Sequence, residues 1–270
     1  MAASQPDREE QWAAHGSKAP APDQPDKSPE KISGMFDAIA GRYDLLNTLL
    51  SAGLDRYWRR RAIATLLLTG SECLLDVCTG TADVAIGAAM RPAGAARVVG
   101  VDFSAAMLTH GLTKIRHREL GARVSLVRGD AMQLPVASGS VDAATIAFGI
   151  RNVQRPEAAC AELLRVLRPG GRLAILEFGL PVIPAVRPLY LWYFNHVLPR
   201  IGRAVSRHDA AYTYLPASVG SFQFGEEFAR LLTVTGFSQV RSRPLALGIV
   251  YLYSATKGPD GPEARKSVLI

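Results

Sequence analysis

From about residue 71 to residue 178, near-continuous apolar runs alternate with amphipathic stretches. The runs Cys73–Val77, Arg97–Asp102, Val124–Arg128, Val141–Phe148 and Arg172–Phe178 have the pattern of strands covered on both faces. Between them, Ser104 stands where it can N-cap a helix that carries Met107, Leu108, Leu112 and Ile115 on one side. Pro156 opens a second helix with Ala159, Leu163, Val166 and Leu167 as its apolar stripe, and Pro169-Gly170-Gly171 ends it. Such βαβ alternation specifies an α/β fold with a mostly parallel sheet and right-handed crossovers. Further on, Ser218–Gly236 reads as one helix closed by Gly236. Gln239–Leu245 and Ile249–Thr256 then read as two strands around Ala246-Leu247-Gly248. So short a return makes this pair antiparallel, giving seven strands with a C-terminal antiparallel hairpin.

Residues 179–217 interrupt the alternation with Pro181, Pro184, Pro188, Pro199 and Pro216 among many aromatics, and read as an insertion over the sheet's carboxyl edge. The expected division is a disordered leader 1–31, a domain 32–257 with a helical cap 33–68 and a lid insertion 179–217, and a flexible tail 258–270.

The most informative stretch is Leu74-Leu75-Asp76-Val77-Cys78-Thr79-Gly80-Thr81-Ala82-Asp83, a strand, a small-residue turn and the start of a helix. About 20 residues later a second strand ends in an acid, Asp102. That spacing suits a nucleoside: the turn lets backbone approach the ligand, and the acid accepts from ribose hydroxyls. The turn is not GxGxxG and no Lys-Ser/Thr pair follows it, so a nucleoside without pyrophosphate, S-adenosylmethionine, fits better. Thr81 and the Gly80 backbone are expected against its methionine half, Asp102 on the ribose, and Asp130 with the Ala131 backbone beside adenine. Each has a plainer reading: a tight connection, a helix-capping acid and an ordinary turn after a strand. Asp76 reads as ordering the turn from beneath.

Composition narrows the partners. The chain has 270 residues and is 48% hydrophobic, enough for one large core. Its first 30 residues hold three basic and six acidic side chains and no apolar block, which predicts disorder and excludes a signal peptide. The remainder therefore carries +10 of a total +7, which suits an anionic membrane surface or nucleic acid. Cys73, Cys78 and Cys160 make neither a disulfide framework nor a CxxC pair, and the five His are scattered, so no metal is expected. No apolar run reaches membrane-spanning length. The expected location is cytoplasmic.

Four segments carry a closer likeness. They are Phe36–Asn47 with Ser51 and Trp58; Leu75–Asp83 with Gly100–Leu108; Gly129-Asp130-Ala131 with Leu134-Pro135 and Ala147–Val153; and Arg165–Gly171 leading to Leu176-Glu177-Phe178. Over roughly residues 33–257 the chain resembles the menaquinone/ubiquinone C-methyltransferases. Asp55 and Gly179 depart from the family's usual His and Ser. The resemblance implies a class I, Rossmann-like S-adenosylmethionine-dependent methyltransferase acting on a polyprenylated quinol, demethylmenaquinol first and a ubiquinone-precursor benzoquinol as the alternative. It also implies that Arg151 and Asn152, just after the fourth strand, hold the quinol oxygens, Arg151 stabilising the phenolate and being too weak a base to take the proton directly. Tyr43 either closes over the site or only packs the cap. His196 and His208 lie in the insertion as less favoured bases. Tyr190–Phe194 flanked by Arg187, Arg200, Arg203 and Arg207 suggests transient contact with the inner face of the membrane. Oligomeric state stays open, a homodimer included. Two rivals are weighed: a nucleic-acid methyltransferase, which would want Asn-Pro-Pro-Tyr where Ala-Phe-Gly-Ile-Arg-Asn stands, and a non-enzymatic partner protein, against which the Thr81, Asp102 and Asp130 set argues.

Overall fold

The computed structural model describes residues 26–197, 200 and 209–259. Seven strands, β1 (Cys73–Val77), β2 (Arg97–Asp102), β3 (Val124–Arg128), β4 (Val141–Ala147), β5 (Leu167–Phe178), β6 (Phe237–Leu245) and β7 (Val250–Lys257), form one sheet. Their order is β3-β2-β1-β4-β5-β7-β6. The first five are parallel, and β7 runs antiparallel to both β5 and β6. The chain switches direction of winding between β1 and β4, which opens a crevice at their carboxyl ends.

Helices α1 (Pro29–Ile39), α2 (Tyr43–Leu50) and α3 (Leu54–Thr65) precede the sheet; α4 (Asp83–Ala89), α5 (Ala105–His117) and α6 (Pro156–Val166) cross between strands. Helices α7 (Arg187–Trp192), α8 (Asp209–Ser221) and α9 (Glu226–Thr235) follow β5. Both faces of the sheet are covered, which is why Leu74–Val77 of β1 are all buried instead of alternating. Leu163, Phe228 and Tyr253 belong to the core on one face; Trp58, Leu74 and Ile115 belong to the core on the other. A third cluster joins Ile39 and Leu46 of the first helices to Met107 of α5, Tyr190 of α7 and Val219 of α8. That cluster fixes α1 and α2 over the crevice.

Several boundaries move. The expected leader 1–31 ends too late, because α1 begins at Pro29, whose fixed φ suits a first helical position. Of the leader, residues 1–25 lie outside the described residues, as does the tail from 260. Ser218–Gly236 is two helices, not one: Gly225, at φ 66° and ψ −132°, breaks it and donates its N–H to the Tyr253 hydroxyl at 2.7 Å. The same helix α8 crosses the expected end of the insertion at 217. The fourth strand stops at Ala147, because Phe148 turns to φ 60°. The fifth begins at Leu167, which already pairs with Val141.

Candidate active site

The turn after β1 is forced into shape. Cys78, Gly80 and Ala82 all have positive φ, and Thr79 N–H is held by Val101 O at 3.0 Å. Beneath it, buried Asp76 accepts from the hydroxyls of Thr79 at 2.6 Å and Thr145 at 2.7 Å. Burial pushes its carboxyl up to about 6 despite those two donors. Asp76 thus orders the turn from below, as its position in the sequence suggests.

Asp102 ends β2 and accepts Gly80 N–H at 2.8 Å on one oxygen and Ser104 N–H at 2.9 Å on the other. Burial raises it above the usual carboxylate range. Each oxygen keeps a lone pair for a further donor, so this carboxylate can take two vicinal hydroxyls. Ser104 does cap α5, accepting from Met107 N at 3.1 Å. After β3, Asp130 Oδ1 accepts Met132 N–H at 2.8 Å in a tight turn, and Ala131 is buried beside it.

Gly80, Asp102, Asp130, Ala131 and Asn152 all line one cavity of about 830 Å³. Its roof is α1, through Ile32, Ser33 and Phe36. Asp37 latches that roof, its Oδ1 accepting from Ser104 Oγ at 2.5 Å and Ala106 N at 3.2 Å. Asn152 Oδ1 is buried with no hydrogen-bond partner among the described residues. A buried acceptor left over in a cavity that already holds two strand-end acids fits a nucleoside ligand with amine and hydroxyl donors.

Thr81 sits apart from this set. Its hydroxyl donates to Asp44 Oδ1 at 2.5 Å and accepts from Lys114 Nζ at 3.0 Å. It lines a smaller recess of about 310 Å³ that shares Tyr43, Cys78, Gly80 and Ala147 with the main cavity.

A third cavity, about 990 Å³, is walled by Trp58, Phe178, Tyr190, Tyr193 and Ile249. It meets the first at Phe36, Tyr43 and Phe148. Tyr43 touches all three spaces, its ring lying 3.9 Å from where a Cβ on Gly80 would project. Burial raises its hydroxyl above the ordinary tyrosine range, against the pull of the Arg59 and Arg151 charges.

Arg151 opens onto the apolar cavity and is buried, so it does not belong to a solvated loop. Its Nη1 donates to Glu177 Oε1 and to Phe148 O, both at 2.6 Å, and its backbone N–H donates to Glu177 Oε2 at 3.2 Å. The guanidinium stacks 5.2 Å from the Phe178 ring centre, and Nε has no partner among the described residues. Arg151 and Asn152 therefore divide between the two cavities, although adjacent in sequence. His196 is exposed, 3.1 Å from Trp192 O through Nδ1, and lines neither cavity. His208, Arg203 and Arg207 lie outside the described residues. Among the described residues no His, Cys, Asp and Glu converge as metal ligands.

The model of the ubiE/COQ5 methyltransferase family matches residues 25–257. The chain belongs to that family. Relatives include the ubiquinone/menaquinone biosynthesis C-methyltransferase UbiE of Citrifermentans bemidjiense, 45% identical over 84% of this chain and 97% of the relative. The demethylmenaquinone methyltransferase of a Mycobacterium species (strain KMS) is 44% identical over 87% of this chain and 97% of its own length. Among solved structures, the [4+2]-cyclase SpnF superposes with a TM-score of 0.63 at 18% identity, covering 86% of this chain and 97% of that one. An S-adenosylmethionine-dependent methyltransferase, so described as putative, from Methanococcus maripaludis gives 0.59 at 18% identity over 84% and 96%. At such identities the likeness is one of fold, and a cyclase on the same fold shows that the reaction must be argued from the site. The expected family, the α/β fold with its antiparallel hairpin, and methyl transfer as the reaction class all hold.

Four residues of the site had no role in the sequence reading: Asp37, Arg59, Lys114 and Glu177. Glu177 did leave a signal, a single acid inside the apolar run Leu173–Phe178. Lys114 left none, being one polar residue on an amphipathic helix.

Proposed function

We propose that this methyltransferase transfers a methyl group from S-adenosylmethionine to a ring carbon of a polyprenylated quinol, with demethylmenaquinol as the first acceptor. The observation that carries this reading is the shared wall of Phe36, Tyr43 and Phe148 between a cavity holding strand-end acids and a large aromatic one. Two ligands seated on either side of that wall meet at Tyr43. Asp102 would hold the ribose hydroxyls of the cofactor, Asp130 and Ala131 the adenine, and Gly80 the approach of its methionine half. When bound, the cofactor supplies a methyl group activated by its sulfonium. The protein's part is to align the acceptor carbon and keep water out, for which the aromatic wall serves.

The ring carbon attacks readily only when its neighbouring oxygen carries negative charge. Arg151 lines the apolar cavity with its Nε unpartnered among the described residues, so its guanidinium would stabilise that oxygen as phenolate. Asn152 faces the cofactor cavity and is better suited to the cofactor than to the quinol. The ubiquinone-precursor benzoquinol is a second acceptor, since relatives of near-equal identity carry both kinds of name.

The lid region between β5 and α8 exposes Val182, Ile183, Leu189 and Trp192 beside Arg187 and Arg200. Apolar side chains with basic neighbours suit brief contact with an anionic membrane surface, where a prenyl tail resides. No helix among the described residues is long and apolar enough to cross a membrane.

The test is mass spectrometry of quinones after incubation with S-adenosylmethionine and each reduced, demethylated quinol in detergent. A one-methylene gain on the naphthoquinol is expected; a gain on neither acceptor, with the cofactor bound, would remove the quinol from this reading.

A further inference from the structure

The small recess next to the main cavity differs from it in chemistry. Where the main cavity is largely apolar, the recess is walled by Arg59, Asp76, Thr79, Thr81 and Asp83. It opens to the main cavity at Gly80 and Tyr43, beyond Asp102, so a nucleoside held by Asp102 and Asp130 would point its 5′ substituent into it. A recess with both signs of charge suits a zwitterion, with the acids facing an ammonium and a cation facing a carboxylate.

Among the described residues Arg59 is the one cation that lines the recess, while Lys27 lines the main cavity. Lys114 spends its ammonium on Asp44, Thr81 and Asp83 and does not line the recess. Arg151 is engaged by Glu177 and opens onto the apolar cavity. Arg59 lines the recess, with a side chain only 12% exposed. Its hydrogen bonds to described residues all run through Nη1, to Asp55 at 2.6 Å and Asp83 at 3.1 Å. Asp55 is fixed in turn by Ser51 Oγ at 3.0 Å. The guanidinium is thus held in place by one nitrogen, and Nε and Nη2 remain for a ligand.

We infer that Arg59, reaching in from the cap helix α3, binds the carboxylate of the cofactor's amino-acid end, so that the cap completes the cofactor site as well as covering it. This rests on the S-adenosylmethionine reading above. The amino-acid carboxylate would displace water from a partly buried, pre-oriented guanidinium, a charge-assisted bond that is strong when the fork geometry matches.

The test compares two ligands by titration calorimetry on the full chain: S-adenosylhomocysteine, which has the amino-acid end, and 5′-methylthioadenosine, which lacks it. Arg59→Met should weaken S-adenosylhomocysteine roughly tenfold to a hundredfold and leave 5′-methylthioadenosine within about twofold. Arg59→Lys should recover part of that loss. Because Arg59→Met strands the buried Asp55, the pair Asp55→Asn with Arg59→Met serves as a second variant, and retained 5′-methylthioadenosine binding reports that it is folded. An unchanged preference between the two ligands in either variant overturns the Arg59 assignment and leaves the cofactor reading standing. A wild-type chain that binds neither ligand overturns both.

Discussion

The Arg151–Glu177 pair offers the sharpest quantitative test, because its structural and chemical roles separate. The two side chains are 7% and 0% exposed and 2.6 Å apart. Glu177 also accepts two backbone N–H groups, from Arg151 and Phe178, so its carboxylate keeps partners if the guanidinium is removed. The guanidinium without Glu177 keeps Phe148 O and the Phe178 ring. Glu177→Gln therefore leaves an uncompensated buried cation and should cost about 3–5 kcal/mol. Arg151→Met should cost somewhat less, since backbone donors still face the carboxylate. In the double variant no charge is stranded, although the single Gln carbonyl replaces only one of the two carboxylate oxygens that accept backbone N–H groups. Its cost should fall short of the sum of the singles by at least about 2 kcal/mol. For a domain of this size, Glu177→Gln alone should lower Tm by on the order of 10 °C. Trp58 packs 6.1 Å from Phe148 and 6.5 Å from Phe178, so tryptophan fluorescence in a urea titration reports this region directly. The double variant, though folded, should lose methyl transfer to the quinol because the guanidinium beside the apolar cavity is gone. Singles costing under about 1 kcal/mol, or strictly additive losses, would refute the burial argument; full turnover in the double variant would refute the phenolate role.

Other perturbations follow from single contacts. Folding raises Asp76 from 3.8 to about 6, so the folded chain holds an extra proton between those values. Ligand-free stability should accordingly fall by about 3 kcal/mol as pH rises from 3.8 to 6 and level off above, and Asp76→Asn should flatten that slope in urea titrations at stepped pH. A Cβ on Gly149 would overlap Cys78 Cβ and lie 2.9 Å from its Sγ, so Gly149→Ala should destabilise by about 1–3 kcal/mol, and an unchanged Tm would contradict the geometry. Asp37→Ala removes the two bonds that latch α1 to the start of α5. It should cost only about 1 kcal/mol of stability while speeding nucleoside release in stopped-flow experiments, and release at the wild-type rate would show that α1 is no gate.

What was legible in the sequence lies close together along the chain. The strands from Cys73 to Phe178 show themselves as apolar runs because both faces of the sheet are buried. The turn at Cys78–Ala82 and the acids Asp102 and Asp130 are readable because each functional group sits at a strand's end, where its position follows from local pattern alone. Ser104 as a cap is equally local. Ser218–Gly236 misled because apolar residues, Phe222 and Phe224, continue through the break between α8 and α9, which shows in the backbone at Gly225.

The sequence by itself determined the sheet, the turn that a nucleoside approaches and the family, since each depends on residues within a few positions of one another. Tertiary structure alone decided what those residues touch. Arg151 meets Glu177, 26 residues away, because β4 lies beside β5. Thr81 turns from the main cavity because Asp44, 37 residues earlier, and Lys114, 33 later, capture its hydroxyl. Asp37 reaches Ser104 across 67 residues to close the roof. Hydrogen bonds and ion pairs are satisfied by whichever group folding brings within about 3 Å, and no local pattern in the chain encodes that neighbour.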